Sequence, residues 1–443
     1  MDRREFLHLT AAGSLGATFL SGCSGGGSSG GGSAPSPGAN IAPGAPAPST
    51  MRGRVMLGID TLEADGFASL RGLRCGLVTH RAGVNGNGQR TVDVLARAPG
   101  VKLVKLFGPE HGIDGNAAAE VVIKNAKDAR TGLPVYSLYG ATRRPTPEML
   151  AGLDAIVIDF QDVGARSYTY ISCMRYVIEA CFSLDRPIRV VVLDRPNPLG
   201  GEKAEGPFLD RKWRSYVGAY ETPYMHGLTI GEIARWAVAT PGVLELDEAK
   251  RRRGVLEIVP MRGWRRSMTW NLTGLNWVAT SPRIPTPQAA LGYSMVGLGC
   301  IVGDFSHSFG DSMHFRFVKY SRRKAADIVA ALGNAVPGLT LEPKLMADGT
   351  QGVYLTVNDW PRLHPTAISL HMMRQACAWD PSNPFTRVTK NERDLFIKHV
   401  GSEAFFEDIR AKGAKVDIAR WMAQWEADAA AYRARTAPFK LYS

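Results

Sequence analysis

The sequence predicts an α/β protein: a mainly parallel sheet flanked by helices, followed by a second unit. Three observations lead there. Strand-like apolar runs alternate with helical stretches between residues 74 and 259, the pattern of a parallel sheet with helices on both faces. Several of those strands end in turns rich in Gly and Pro that carry an acid or an imidazole: His80, Glu110, Asp159 and Asp194. In such sheets ligands bind beyond the carboxyl ends of the strands. Finally, the proline-rich stretch 275–287 reads as a rigid crossover into a second unit, and 443 residues are enough for two cores.

Residues 74–79 read as the first strand, followed by His80 and a Gly/Asn-rich loop; 91–98 read as a helix. The run from Val101 is a strand that Gly108-Pro109 stops abruptly, just before Glu110-His111-Gly112. A carboxylate and an imidazole on a stiff turn suit proton transfer. Further strands are expected over 133–138, 155–158, 188–193 and 256–259. Helices are expected from Thr146-Pro147-Glu148, where Thr146 suits a cap and Pro147 a first turn, and over 170–184 and 229–239. In the second unit, helices are expected over 322–334, 366–378, 391–400 and 416–433, with a strand over 352–357. This unit has fewer charged residues after strands and is expected to support or roof the cleft.

Ahead of the folded part, Arg3-Arg4 precede a short apolar segment, which reads as a twin-arginine export signal. Leu20-Ser21-Gly22-Cys23 resembles a bacterial lipobox, making Cys23 the expected lipidated first residue of the mature chain. The apolar stretch is short for a membrane span. The expected location is therefore the periplasmic or cell-surface side, with lipid chains holding the protein to a membrane. Residues 24–50 are almost wholly Gly, Ser, Pro and Ala and read as a flexible tether. The expected division is signal 1–23, linker 24–50, catalytic domain 51–280 and auxiliary domain 281–443.

Lys and Arg number 53 against 41 Asp and Glu, a net charge of +12. An excess of this kind attracts nucleic acid, anionic lipid or an anionic wall polymer. The positives are scattered, apart from Lys250-Arg251-Arg252-Arg253 and Arg265-Arg266, and no nucleic-acid motif accompanies them. No nucleic-acid partner is expected. The five cysteines after Cys23 are sparse, odd in number and without CxxC spacing, so buried thiols are expected, with no disulfide framework and no zinc site. P-loop, HExxH and GxSxG motifs are absent, and the glycines from Gly297 to Gly303 have the wrong spacing for a dinucleotide. No cofactor or metal is expected. A metal-dependent hydrolase using His111, Asp159, Asp162 and His226 finds no standard ligand spacing.

Three loops stand out together: Gly108-Pro109-Glu110-His111-Gly112 with Glu120 beyond it; Asp159-Phe160-Gln161-Asp162 through Arg166-Ser167-Tyr168-Thr169-Tyr170; and Asp194-Arg195-Pro196-Asn197-Pro198 followed by Glu205-Gly206-Pro207. With Thr131-Gly132-Leu133-Pro134 through Tyr139-Gly140, they resemble the NamZ-type exo-β-N-acetylmuramidases. The resemblance runs from about Leu57 to the C-terminus, including Trp421, Trp425 and Tyr442, and is densest in the first half. It implies a Rossmann-like domain with a smaller C-terminal domain. The implied activity is release of N-acetylmuramic acid from the non-reducing end of peptidoglycan fragments, with Glu110 at the position of the family's catalytic glutamate. Segment 299–311 departs from the family pattern, lacking an acid and an arginine typical of it, and Asp114 stands where arginine is common.

Glycosidic cleavage usually needs one carboxylic acid to protonate the leaving oxygen and a second carboxylate nearby. Glu110 and Glu120 are the catalytic candidates, with Asp162 and Asp159 as further second carboxylates; each acid also suits a purely loop-fixing role. Arg166, Arg195 and Tyr168 suit the lactyl carboxylate and ring of the sugar, although Arg166 equally suits an ion pair with Asp162. His226 suits either the pocket or a helix cap, with the pocket favoured. His111, Tyr139, Gln161, Asp194, Asn197 and Glu205 complete the expected substrate-binding set. The competing reading is a non-catalytic cell-wall-binding lipoprotein derived from the same family.

Overall fold

A computed structural model describes residues 53–115, 125–307 and 313–443. The first domain is built on seven strands: β1 (Arg74–Thr79), β2 (Lys102–Gly108), β3 (Ala126–Lys127), β4 (Pro134–Ser137), β5 (Ala155–Asp159), β6 (Arg189–Leu193) and β7 (Leu256–Val259). Their order is β3-β4-β2-β1-β5-β6-β7, and every pairing is parallel except the β3–β4 edge. From β1 the chain winds outward through β2 to β4, then reverses to β5, β6 and β7. The carboxyl ends of β1, β2 and β5 therefore border the topological switch point, where such sheets bind ligands.

Both faces are covered. Val78, Phe107, Ile156, Ile158, Val190 and Val192 pack with α4 (Tyr170–Ser183) and α5 (Ile230–Ala239), whereas Leu77, Leu106, Val157 and Val191 pack with α1 (Gly58–Ala64) and α2 (Thr91–Ala96). Alternate strand residues thus feed opposite cores, which is why the strands read as continuous apolar runs. The short helices α3 (Pro147–Leu150) and α6 (Glu248–Arg253) complete the domain, with Thr146 capping α3 through a bond from Met149 N–H.

The second domain has an antiparallel sheet in the order β10-β11-β9-β8, from β8 (Phe305–His307), β9 (Phe317–Tyr320), β10 (Leu339–Leu345) and β11 (Gln351–Val357). Its helices are α7 (Pro287–Val296), α8 (Ala325–Leu332), α9 (Ala367–Trp379), α10 (Lys390–Val400), α11 (Glu403–Lys412) and α12 (Ile418–Thr436). The end of α12 and the tail return to the first domain. There the Tyr432 hydroxyl donates to the His226 carbonyl at 3.0 Å, and the Tyr442 hydroxyl donates to Asp194 at 2.5 Å. The five cysteines of the described residues are all buried and free. No helix among these residues is long and apolar enough to cross a membrane.

The two domains meet around Arg166, whose side chain is wholly buried. It was a candidate for the sugar carboxylate, and equally for an ion pair with Asp162; the structure gives it neither role. Its guanidinium donates to the carbonyls of Pro207 and Thr222 in the first domain, at 2.8 and 2.6 Å. On the other side it donates to His399 and Val400 at the end of α10, at 2.8 and 2.9 Å. Those last two are carbonyls that a helix C-terminus leaves without partners, at its negative pole. Gly401, with φ of +91°, turns the chain away from α10, and a Cβ there would come within 2.8 Å of the guanidinium. Burial pulls the Arg166 pKa down to about 9, so it still carries its charge at neutral pH.

Glu205 forms a second tie and so is likewise engaged within the protein. One oxygen accepts from the Thr366 N–H and hydroxyl, each at 3.1 Å, at the start of α9; the other meets His364 Nδ1 at 3.1 Å.

Arg166→Lys cannot reach all four carbonyls and is expected to cost about 3 kcal/mol of unfolding free energy, read by urea denaturation. His364 is raised above its ordinary value of 6.5, chiefly by its hydrogen bond to Glu205. Its contribution is therefore complete below the unfolded pKa and fades as pH rises through the folded one. The melting temperature lost in His364→Gln is expected to be larger at pH 5.5 than at pH 8.5, on the order of a degree or two.

Candidate active site

The turn after β2 presents the central carboxylate. A Cβ at Gly108 would come within 3.0 Å of Ile113 N, so the strand ends where only glycine fits comfortably. Beyond Pro109 and Glu110, His111 and Gly112 both take positive φ, at 70° and 74°, and Gly112 N–H closes on the Pro109 carbonyl at 3.0 Å. A left-handed His costs conformational energy and persists only where the surroundings fix it. The result is a Glu110 side chain that is 7% exposed, with the Thr169 hydroxyl donating to its Oε2 at 3.0 Å. Thr169 is the N-cap residue of α4.

Glu110 opens onto a pocket with about 670 Å³ of empty space, mouth included, between the two domains. His111 and the run Ser167 to Tyr170 form one side, and the crossover residues Ser281 and Arg283, with Tyr293 and Phe315 of the second domain, form the other. The Tyr168 hydroxyl donates to Thr280 Oγ1 at 2.9 Å, and the Tyr170 hydroxyl to the Thr280 carbonyl at 2.7 Å. Burial holds the Tyr168 phenol well above its usual pKa, so it remains a neutral donor. His399 also reaches the pocket; burial lowers it to about 4, so it is neutral there.

Most of the other expected substrate residues build the frame behind this wall. Asp159 accepts from Arg195 Nε and Nη2 at 2.5 and 2.8 Å and from the Thr91 hydroxyl at 2.5 Å, and both members of the pair are buried. Arg195 is thus an internal ion-pair partner and not a receptor for the sugar carboxylate. Gln161 uses its amide on the carbonyls of Asp162 and Pro196, each at 2.9 Å. Asn197 bridges Leu228 and Leu199. Asp194 accepts from Thr229, Gly231 and Tyr442, and burial pushes it up to about 6.

Asp162 and His226 form one buried pair. Asp162 Oδ2 lies 3.0 Å from His226 Nε2 and accepts from Gly164 N–H at 2.7 Å. His226 Nδ1 accepts from Leu228 N–H at 3.3 Å, so the proton sits on Nε2 and points at the carboxylate. His226 therefore supports the Asp162 loop from behind. Tyr139 is buried near Tyr216, with ring centroids 6.2 Å apart and Arg143 stacked over both rings. Glu120 and Cys23 lie outside the described residues.

Sequence reasoning missed Thr169, Thr280, Ser281, Arg283, Tyr293 and Phe315. Ser281-Pro282-Arg283-Ile284-Pro285 reads as a stiff crossover, and stiff it is, but it also forms a wall. An arginine between two prolines was the available signal. Among the described residues no group of three or more His, Cys, Asp and Glu is arranged to hold a metal ion. The candidate ligands Asp159, Asp162 and His226 are engaged as above.

Residues 75–288 match the family described as exo-β-N-acetylmuramidase NamZ, N-terminal, and residues 293–442 match its C-terminal counterpart. The chain is 40% identical over 304 residues to the peptidoglycan β-N-acetylmuramidase NamZ of Bacillus subtilis (strain 168), a match spanning 68% of this chain and 70% of that protein. It belongs to the NamZ family. A crystal structure of a DUF1343 family protein from Bacteroides fragilis NCTC 9343 superposes with a TM-score of 0.79 at 34% identity, over 88% of this chain and all of that one. A second DUF1343 protein from the same organism shares the fold at 22% identity, with a TM-score of 0.64 over 88% of this chain and 99% of that one.

The two NamZ family matches meet between residues 288 and 293, within α7 and just past the pocket wall. The pocket thus draws its walls from both matched parts. Thr169→Val removes the hydrogen bond to Glu110 without opening a large cavity. It is expected to lower kcat on a muramyl glycoside about tenfold, with a melting temperature close to that of wild type, checked by steady-state kinetics and calorimetry.

Proposed function

We propose that this chain is a glycoside hydrolase that releases terminal N-acetylmuramic acid from peptidoglycan fragments, with Glu110 delivering the proton to the leaving oxygen. One observation carries the reading: Glu110 is the carboxylate among the described residues lining the interdomain pocket, mostly buried yet facing its empty space. A carboxyl group held at the edge of a pocket between two domains is placed to meet a glycosidic oxygen, as general-acid work requires. The Bacillus subtilis relative, by its name, acts on peptidoglycan.

Glycoside hydrolysis requires a second carboxylate or its equivalent. Glu120, on the segment after Gly115, is the proposed partner; Asp162, paired with His226, is not among the residues lining the pocket. His111 and Tyr168 are proposed to contact the sugar, with Tyr139 packed outside the pocket against Tyr216. Asp159, Gln161, Asp194, Arg195, Asn197, Glu205 and His226 are proposed to position the loops that carry those contacts. The twin-arginine signal, the lipobox ending at Cys23 and the tether 24–50 support an exported, lipid-anchored protein that works within reach of wall fragments.

Glu110→Gln keeps the shape and removes the proton. Release of N-acetylmuramic acid from a chromogenic β-glycoside is expected to fall by about 10²- to 10⁴-fold with an unchanged melting temperature. Full activity in that variant would refute the role of Glu110. Wild-type protein that binds muropeptides but releases no sugar at high concentration and long incubation would favour the non-catalytic wall-binding reading.

A further inference from the structure

We propose that Arg283 is the specificity-determining residue for the substrate's carboxylate, receiving the lactyl group that distinguishes a muramyl from a glucosaminyl unit; this rests on the proposed muramidase reading. The structure removes the two arginines that the sequence put forward for this task. Arg166 is consumed by four backbone carbonyls, and Arg195 by Asp159 and the Val84 carbonyl. Among the described residues lining the pocket, Arg283 is the permanently charged cation, carried by the crossover between the domains, whereas Glu110 follows β2 of the first.

Its presentation is rigid. Pro282 and Pro285 restrict the backbone on either side, and Ile284 N–H closes a turn onto the Ser281 carbonyl at 3.1 Å. Ile284 is 1% exposed, and its carbonyl accepts from the Trp277 indole at 3.2 Å. Thr286 then caps α7 by accepting from Ala289 N–H at 3.1 Å. The backbone that carries the half-buried Arg283 therefore has little freedom to lose when a ligand arrives. A guanidinium carries five N–H donors in a planar fork, so a protein partner on one edge leaves another edge for a carboxylate.

Charge balance gives the reason for a cation here. A muramyl substrate brings a carboxylate into a partly desolvated pocket, where an ion without a charged partner is costly. A guanidinium on the pocket wall offsets that cost and draws the lactyl group to one side. The neighbouring imidazoles do not share the task. Burial, with the Arg283 charge next, lowers His307 to about 3 and lowers His314, so both are neutral at working pH.

The test uses the mature protein with matched chromogenic β-glycosides of N-acetylmuramic acid, its lactyl methyl ester and N-acetylglucosamine. Wild type is expected to prefer the free acid over the ester. Arg283→Gln is expected to lose about 10- to 100-fold in kcat/KM on the acid, mainly through KM, while its rates on the two neutral glycosides change less than about threefold. Arg283→Lys should recover part of the loss, keeping the charge without the fork. An equal loss on all three glycosides would make Arg283 a structural residue and overturn the proposal. So would an unchanged acid preference, or loss of that preference in Arg143→Gln instead. Wild type that cleaves none of the three would refute the muramidase reading itself, a result separate from any effect at Arg283.

Discussion

Arg166 carries a charge into the interior, and the interior accommodates it because four carbonyl oxygens converge there, two from each domain. Neither side is self-sufficient. The C-terminal carbonyls of α10 need donors, and a buried guanidinium needs acceptors; each would be costly if left alone. The next residues along the chain are Ser167, Tyr168 and Thr169, which line the pocket and, through Thr169, hold Glu110. Docking of the second domain and placement of Glu110 are therefore consequences of the same contact.

The polar residues clustered at the strand ends divide into two populations with different work. Asp159 with Arg195, Asp162 with His226, and Asp194 with Thr229, Gly231 and Tyr442 are closed sets whose hydrogen bonds stay within the protein. They fix the loops so that a few side chains reach into the pocket from defined positions. Glu110, His111, Tyr168 and Arg283 are that smaller population. Precise placement of so few groups requires a large buried polar frame, which accounts for the density of acids after these strands.

Much of the first domain was legible in the sequence. Strands buried on both faces leave uninterrupted apolar runs, and 74–79 and 256–259 match β1 and β7 residue for residue. The second domain was harder to read because its sheet is antiparallel and partly solvated. In β10, only Leu339 and Leu341 are buried and Pro343 interrupts the run. α1 was missed because it opens on Gly58 after an apolar Leu57, with no side-chain cap to mark it. In the site, the turn carrying Glu110 could be read from glycine, proline and strand period. Which way a polar side chain faces could not, since Arg166 and Tyr168 lie two residues apart with opposite roles. The partner that decides the matter for Arg166, the end of α10, lies more than two hundred residues away, at His399 and Val400.

The central claim is that the pocket between the domains, with Glu110 at its edge, is where the sugar is held. A crystal structure of the Glu110→Gln protein with an intact muramyl β-glycoside tests it most directly. The predicted result is a sugar ring in the pocket beside Tyr168, its glycosidic oxygen about 3 Å from the residue-110 side chain. A glycoside seated instead in the separate groove bordered by Trp270, Tyr354 and Trp360, with the Glu110 pocket empty, would contradict it.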